Sequence, residues 1–337
     1  MKAQTALALV ALALLAPGWL QPAVATPLED RSRAMQRASD AVVGLRVSAV
    51  KDARSNATLG AERRGSGVVV GSDGLVLTIG YLVLEADEVT VTTDDGRKVP
   101  ARVVAYDVAT GFGLVQALAP LRLEPVPLGR SGTLAIDEPL TVISGGEDGA
   151  ISAARLVSQR LFSGYWEYHI DGALFTGPPR CDHSGAALYN ASGELVGIGS
   201  LLVSDALGPR APRQPGNMFV PVDLLTPVFG ELRSRGMSQQ SERAWLGLNC
   251  VESDGGVRVL RVSDDSPAEV AGLQAGDRIV RIDGAAVVAL EMLWKTLWAG
   301  GLPEREITLD IVRDGQPKTL RLKSVDRMKT LKRAQGI

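Results

Sequence analysis

The sequence has very few residues of the types that most often bind metals. Among 337 residues there are two histidines, His169 and His183, and two cysteines, Cys181 and Cys250. A histidine-based metal site needs a second ligand at a suitable spacing, and neither histidine has one. We therefore expect no metal and no cofactor.

An excess of charge of one sign is also missing. The net charge is −2 and the isoelectric point is near 5.9. Proteins that bind nucleic acid or membrane surfaces usually carry a strongly basic patch. The one basic cluster lies in the tail, residues 326–337, which we expect to be a solvated, frayed end. We expect no nucleic-acid partner.

No apolar run is long enough to cross a bilayer, which takes roughly 20 residues. The strongest run, residues 6–16, follows Lys2, and Ala23-Val24-Ala25 then supplies small residues at the spacing that a signal peptidase needs. We expect a signal peptide over residues 1–25, cleaved after Ala25, with an N-terminal anchor as the alternative. The mature chain would be periplasmic or secreted, without membrane insertion, and long enough for about two domains.

The two cysteines have two possible states in an exported protein. An oxidising compartment permits a disulfide between Cys181 and Cys250, which would join the two halves of the chain. The alternative is two separate thiols, since an unpaired cysteine is often buried. The sequence leaves both states open.

Short β-branched segments separated by Gly, Asp and Ser turns follow one another from residue 41 to residue 198. This pattern is typical of an all-β barrel or sandwich. Helices are predicted over residues 30–40 and 221–235, and Gly236 ends the second. We assign residues 26–235 to a first domain and the polar stretch 236–243 to a linker.

A second, smaller unit covers residues 244–325. Its alternating strands and turns predict a compact α/β domain with a short helix capped by Ser266 and a longer helix over residues 287–298. The predicted strands cover residues 245–250, 257–262, 278–282, 306–312 and 317–322.

One segment, Asp182-His183-Ser184-Gly185, matches the needs of nucleophilic catalysis. Hydrolysis of an acyl bond by serine needs a hydroxyl, a base that takes its proton, and backbone donors for the oxyanion. The small residues beside Ser184 permit a sharp turn that exposes its hydroxyl. A Ser-Gly pair alone is a weak signal, because any loop can contain one.

Several further motifs give this segment its context. In the first domain they lie at residues 65–70, 73–78, 86–91, 193–198 and 219–221, and in the second at 246–248, 266–269, 271–273 and 275–277. In these motifs the chain resembles the HtrA/DegP family of periplasmic serine proteases. The resemblance implies a mainly β fold, in which a trypsin-like double β-barrel is followed by a small α/β PDZ domain. It also implies that Ser184 stands at the nucleophile position and that the protein is a homo-oligomer, a trimer in the family.

The chain departs from the family at the catalytic positions. Tyr81 stands where the family has the histidine base, and Gly111 stands where it has the aspartate. Asp182 and His183 replace the Gly-Asn pair of the oxyanion turn. A residue with a side chain is less free than Gly to adopt unusual backbone angles, and Asp182 would place negative charge near a developing oxyanion.

Other groups are poor substitutes for the missing base. His183 is next to Ser184, and neighbouring side chains on a tight turn rarely face each other, while His169 lies in a predicted strand. Tyr81 is either a packed aromatic or a hydroxyl that hydrogen-bonds Ser184, since at an ordinary pKa of about 10 roughly one phenol in a thousand is ionised at pH 7. In subtilisin, loss of the serine or histidine alone lowers kcat by about 10⁶, roughly 8 kcal/mol. We predict a pseudoprotease with no useful peptidase rate.

The resemblance to PDZ domains implies peptide capture. Such domains add the peptide as a strand and hold its terminal carboxylate on backbone N–H groups. The alternative is that the same apolar residues are simply core. The residues expected to form the carboxylate loop, the groove strand and the helical wall are Trp245, Leu246, Gly247, Leu248, Leu290, Leu293 and Trp294.

Together these features favour an inactive HtrA-like protein in periplasmic protein quality control. Its expected partners are polypeptide C-termini, unfolded segments or a partner protein. Two alternatives remain open: an active serine endopeptidase that uses Ser184 with an unusual base, and a scaffold subunit that assembles with an active protease.

Overall fold

The computed structural model describes residues 27–253 and 256–332. The expected signal peptide and the last five residues of the basic tail lie outside the described residues. Strands dominate the described chain, as predicted for a mainly β fold. Within these ranges no helix has the length and apolar character that a membrane span requires.

Six antiparallel strands close into a first barrel, in the order β1-β2-β3-β6-β5-β4. Alternation sets the inward face: in β1, Leu45 and Val47 are buried and Arg46 between them is exposed. A helix, α1 (Pro27–Asp40), precedes the barrel, and two short helices, α2 (Asn56–Leu59) and α3 (Gly80–Val83), connect its strands. The strands are β1 Val42–Ala49, β2 Glu62–Val69, β3 Leu75–Ile79, β4 Ala86–Thr92, β5 Lys98–Tyr106 and β6 Phe112–Ala117.

A second closed barrel of six strands follows, in the order β10-β11-β12-β9-β8-β7. Residues of both barrels belong to one buried apolar cluster, which includes Val43 of the first barrel and Phe175 and Tyr189 of the second. The two barrels therefore meet along a continuous interface. The strands are β7 Pro139–Ile143, β8 Ile151–Ser163, β9 His169–Gly177, β10 Ala187–Tyr189, β11 Leu195–Val203 and β12 Gly216–Pro221.

The helix predicted over residues 221–235 is shorter than expected. A 3₁₀ turn at Val222–Leu224 follows β12, and the α-helix, α4, covers only Phe229–Arg235. Pro227 lies between them and has no N–H to extend the helical ladder. Gly236 ends the helix, as predicted.

The stretch 236–243, expected to be a polar linker, is packed against the first barrel. Ser238 and Ser241 are almost completely buried. The Asp107 carboxylate accepts hydrogen bonds from Ser238 N at 2.8 Å and from Ser241 Oγ at 2.6 Å. These two serines satisfy a buried carboxylate, whereas Gln239 and Gln240 between them face water.

The smaller domain has one main sheet in the order β14-β15-β16-β18-β19, with β17 paired to β16 and a separate β13-β20 pair. Ser266 caps helix α5 by accepting a hydrogen bond from Glu269 N, as the sequence predicts. The strands are β13 Ala244–Trp245, β14 Leu248–Ser253, β15 Gly256–Val262, β16 Arg278–Ile282, β17 Ala285–Ala286, β18 Glu306–Arg313, β19 Gln316–Lys323 and β20 Val325–Asp326, and the helices are α5 Pro267–Val270 and α6 Leu290–Ala299.

The described part of the basic tail is not frayed, so that expectation is wrong. A 3₁₀ helix forms at Arg327–Thr330. The Arg327 guanidinium lies over the Trp245 ring, 4.7 Å from its centroid. Lys332 N donates to Glu85 Oε1 at 2.9 Å, which attaches the tail to the first barrel.

Candidate active site and peptide-binding groove

Ser184 lies in the loop between β9 and β10 and faces the first barrel. Its carbonyl oxygen accepts a hydrogen bond from Ser66 N at 2.8 Å. The next residue, Gly185, has a φ of +73°, and a Cβ there would lie 2.0 Å from the Ser66 carbonyl oxygen. Only glycine fits this contact. The turn therefore presses Ser184 against strand β2, at the junction of the two barrels.

Tyr81, on α3 directly after β3, reaches across this junction to Ser184. Its Oη lies 2.8 Å from Ser184 Oγ and 2.9 Å from the carbonyl oxygen of Ser200. A phenol has one proton, and a carbonyl oxygen can only accept. When Tyr81 donates to Ser200, the proton between the two hydroxyls must come from Ser184. The serine then donates to a neutral phenol oxygen.

The electrostatics of Tyr81 oppose a role as a base. Burial raises its pKa to about 12, although the hydrogen bond with Ser184 acts in the opposite direction. With a pKa of about 12, roughly one phenol in 10⁵ is ionised at pH 7. A neutral phenol oxygen is far too weak a base to remove the proton of a serine.

Gly111 lies on the approach to β6, near the site. Its φ is +84°, and a Cβ would lie 2.6 Å from the Tyr168 hydroxyl. That hydroxyl donates to the Thr110 carbonyl oxygen at 2.8 Å and is buried. The space beside Gly111 is thus filled by another side chain, and no carboxylate projects from this position.

The two residues before Ser184 are held by Arg180. Asp182 accepts from Arg180 Nε at 2.9 Å and also from Ser144 Oγ. Burial opposes its ionisation, but these hydrogen bonds outweigh burial and lower the pKa of the Asp182 carboxyl. His183 Nδ1 donates to the Arg180 carbonyl oxygen at 3.1 Å. The negative charge expected at Asp182 is therefore compensated by a guanidinium.

Neither histidine supports Ser184. Along the described chain, the hydrogen bond of Ser184 Oγ is with Tyr81. His169 instead bonds Ser163 Oγ through Nδ1 at 2.8 Å and lies 3.3 Å from Asp171 through Nε2. His169 therefore has a structural environment, in keeping with its predicted place in a strand.

Of the two states that the sequence leaves open for the cysteines, the structure shows free thiols at both. Cys181 is exposed beside Ser184, whereas Cys250 is buried in the smaller domain. Burial raises the pKa of the Cys250 thiol. The separate-thiol alternative describes the structure.

A cleft of about 370 Å³ opens beside Ser184 between the two barrels. Arg46, Arg64 and Ser66 line one side of it, and Ser144 and Cys181 line the other. Clusters of side chains suited to a metal ion are not found within residues 27–253 and 256–332. The cleft is open to solvent, and both charged and apolar groups line it, among them Arg46, Leu45 and Asp182.

The residues predicted to line a peptide groove are mostly buried. Two guanidinium groups lie over the Trp245 ring, those of Arg54 at 5.5 Å and Arg327 at 4.7 Å from its centroid. The groove predicted from these residues is therefore not open to solvent. The buried ones in the core of the smaller domain are Leu246, Leu248, Leu290, Leu293 and Trp294.

The predicted carboxylate loop is filled by a residue that the sequence does not point to. Glu167, in the connection between β8 and β9, accepts from Leu246 N at 3.1 Å, Gly247 N at 2.7 Å and Leu248 N at 3.0 Å. The one available signal was an acidic residue inside an aromatic run, Tyr165 to Tyr168.

Comparisons with known proteins agree with this architecture. The model of the trypsin-like peptidase domain matches residues 65–198, and the model of the PDZ domain matches residues 244–324. A "Probable periplasmic serine endoprotease DegP-like" of Ectopseudomonas mendocina is 30% identical over 281 residues, which cover 78% of this chain and 56% of that protein. A "Probable periplasmic serine protease do/HhoA-like" of Haemophilus influenzae is also 30% identical, over 77% of this chain and 57% of its own.

The chain is HtrA-like. Its trypsin fold, with two closed six-stranded barrels, is followed by a PDZ domain. This HtrA-like protein spans about half the length of the curated relatives it matches.

Solved structures show the same fold. The "HtrA-type protease AlgW with decapeptide" is 23% identical with a TM-score of 0.54, covering 88% of this chain and 98% of that chain. The serine endoprotease from Yersinia pestis is 22% identical with a TM-score of 0.54, covering 90% and 99%.

Proposed function

We propose that this HtrA-like protein is an exported pseudoprotease that binds polypeptide instead of cleaving it. The observation that carries the proposal is the contact of Tyr81 Oη with Ser184 Oγ at 2.8 Å. A general base must take the serine proton in the transition state. At this position the protein has a phenol whose pKa is raised, and the orienting aspartate is replaced by Gly111.

The loss of catalytic rate expected without a triad base is large enough to support inactivity. In subtilisin, removing the serine or histidine alone costs about 2 × 10⁶ in kcat, which is roughly 8.6 kcal/mol at 1.36 kcal/mol per decade. Residual catalysis in such variants depends on an intact oxyanion hole. Here Asp182 is tied to Arg180 and Ser144 in the turn that would form that hole. A rate useful to a cell is therefore not expected.

The binding role is proposed for the cleft beside Ser184. The cleft remains open, and Arg46 and Arg64 line its first-barrel side. Lys98 on that side is paired with Glu147 across the cleft, where Asp148 and Asp182 also lie. Exposed segments of unfolded polypeptides, or a partner protein, are the proposed ligands. The relatives are named as periplasmic proteases, which supports a periplasmic location after cleavage of residues 1–25. Assembly as a homo-oligomer, or as a scaffold with an active protease, is compatible with this role.

A degradation assay separates this function from that of an active endopeptidase. The mature chain is incubated with reduced casein, beside Ser184→Ala and the control Ser192→Ala, which changes an exposed serine in a hairpin turn. We expect all three to leave casein intact. Cleavage that Ser184→Ala abolishes and Ser192→Ala preserves would establish the endopeptidase and refute the proposal.

Binding is measured on the same proteins by the anisotropy of fluorescein-labelled casein. We expect saturable binding by the wild type and by Ser184→Ala. The double variant Arg46→Ala/Arg64→Ala removes two cleft cations and should bind about tenfold more weakly. The control Arg102→Ala removes an exposed cation from outside the cleft and should bind as the wild type does. Equal binding by all variants would contradict a role for the cleft.

A further inference from the structure

The groove of the PDZ domain contains a segment of the barrel domain. This segment, residues 164–167, joins β8 to β9 and is called the barrel segment below. It lies against β14 on one side, where Trp166 pairs antiparallel with Asn249 and Cys250 N donates to the Tyr165 carbonyl oxygen at 2.6 Å. It reaches helix α6 on the other side, where Trp294 Nε1 donates to the Gly164 carbonyl oxygen at 3.1 Å.

A carboxylate ends the segment at the loop before β14. Three consecutive backbone N–H groups, those of Leu246, Gly247 and Leu248, donate to Glu167. Two further backbone hydrogen bonds fix the loop: the Leu246 carbonyl oxygen accepts from Ala268 N, and the Gly247 carbonyl oxygen accepts from Ser263 N. The three donors are therefore fixed in place and converge on one carboxyl group.

The arrangement reproduces the way in which such a groove holds a peptide C-terminus. That mode adds an antiparallel strand whose terminal carboxylate lies in a nest of backbone N–H groups. The barrel segment runs in the same sense, from Gly164 at α6 to Glu167 at the loop. The chain continues to Tyr168, so no terminal carboxylate is present, and the side chain of Glu167 takes its place.

We infer that this groove is self-ligated: the barrel segment is its resident ligand, and a polypeptide with a free C-terminal carboxylate binds only when the segment leaves. Ser184 takes no part in the binding of the barrel segment or in its departure from the groove. The inference is therefore independent of the proposed pseudoprotease function. The apparent Kd for an external peptide is the intrinsic Kd divided by the fraction of molecules with an open groove.

Contacts outside the groove keep the closed state populated. Arg243, which is buried, donates to the Val108 carbonyl oxygen at 2.7 Å and lies over the Trp298 ring. Arg54 donates to the Asp264 carbonyl oxygen at 2.9 Å. Because these bonds tie the two domains together, the segment is held near the loop at a high effective concentration.

The test uses the full mature chain and a fluorescein-labelled hexapeptide, Phe-Ser-Gly-Tyr-Trp-Ala, which is the sequence of residues 162–166 followed by alanine. One form has a free C-terminal carboxylate and its twin is amidated. Glu167→Ala removes the internal carboxylate. The matched control, Tyr165→Ala, changes an exposed side chain of the same segment whose backbone makes the strand contact.

We expect Glu167→Ala to bind the free-carboxylate peptide at least about tenfold more tightly than the wild type does. Tyr165→Ala should bind like the wild type, and the amidated peptide should bind no variant. Equally tight binding by wild type and Glu167→Ala would overturn the inference. Absence of peptide binding by a folded Glu167→Ala would overturn the claim that the groove accepts C-termini.

Hydrogen exchange tests the same inference on a variant that preserves side-chain shape, Glu167→Gln. In the wild type the amides of Leu246, Gly247 and Leu248 should be protected. The side-chain amide of Glu167→Gln is a weaker, uncharged acceptor. In this variant the backbone amides of the three loop residues should exchange at least about tenfold faster, while the backbone amides of β18 should exchange at an unchanged rate. Unchanged exchange at the loop would show that Glu167 is not the ligand that holds it.

Discussion

The hydroxyl of Tyr168 lies 2.6 Å from the place that a Cβ on Gly111 would occupy. Tyr168 itself is anchored by its hydrogen bond to the Thr110 carbonyl oxygen and by stacking on Trp166, at 5.6 Å between ring centroids. Residue 111 is a glycine, without a carboxylate, and the Tyr168 side chain packs beside it. The Tyr168 hydroxyl fills the space that a side chain at residue 111 would need.

The first prediction concerns the stability of variants at Gly111. Gly111→Ala should destabilise the fold by about 2–5 kcal/mol, because a left-handed backbone is strained for alanine and the new methyl meets Tyr168. Gly96 has a similar φ, +79°, with nothing near its Cβ position. Gly96→Ala should therefore show only the backbone strain, about 1–2 kcal/mol. Urea unfolding measures both, and equal losses would contradict the steric argument.

The second prediction concerns restoration of the triad. Tyr81→His/Gly111→Asp places the family's residue types at both positions, yet we expect no casein cleavage above Ser184→Ala. The aspartate would need the space of the Tyr168 hydroxyl, and the histidine would lack an oriented acid. Folding of the variant is checked by circular dichroism. Turnover by a folded double variant would show that the blocked position is not what prevents catalysis.

The third prediction concerns pH and Asp107. Burial alone would raise the pKa of this carboxyl, but hydrogen bonds from Ser238, Ser241 and Thr110 outweigh burial and lower the pKa. A carboxyl whose pKa is lower in the folded state stabilises the fold above its unfolded value, near 3.9, and loses that effect as pH falls through the folded value.

Asp107→Asn should accordingly lower the free energy of unfolding by about 3 kcal/mol at pH 7, and this difference from wild type should shrink below pH 4. Denaturant titrations across pH 3–7 measure the free energy of unfolding of both proteins. Asp87→Asn, at an exposed position, is the control and should show little change at any pH. A cost for Asp107→Asn that stays constant down to pH 3 would contradict the pKa assignment.

The fourth prediction concerns the cysteines. In the native protein Ellman's reagent should titrate one thiol, that of the exposed Cys181, because Cys250 is buried and its thiol pKa is raised. Two thiols should react after unfolding, and Cys181→Ser should show none in the native state. Absence of any thiol in the unfolded, unreduced protein would reveal a disulfide instead.

Local signals in the sequence were sufficient for much of the fold. Strand β16 was predicted at its observed bounds because turn residues bracket it on both sides, Gly276-Asp277 before and Asp283-Gly284 after. The apolar spacing over residues 221–235 predicts one continuous helix, but Pro227 interrupts it and the α-helix covers only Phe229–Arg235. The polar composition of the stretch at Ser238 and Ser241 predicts a linker, because its buried partner, Asp107, is more than 100 residues away in sequence.

The sequence predicts one part of the candidate site and not the rest. Tyr81 opposite Ser184 followed from aligned motifs, and a hydrogen bond between them was one of two expectations. The sequence does not predict Tyr168 beside Gly111 or Glu167 in the carboxylate loop. Glu167 lies 79 residues from Leu246, and no local pattern distinguishes a carboxylate that will meet backbone donors of another domain from one that will face water.

The most direct test of the central claim, that Ser184 lacks a functional base, is covalent labelling with a fluorophosphonate. The mature protein is treated with the reagent, and intact mass is compared with Ser184→Ala and with a trypsin standard. We expect the wild-type mass to remain unchanged under conditions that label the standard completely. One reagent bound per molecule, abolished by Ser184→Ala, would contradict it.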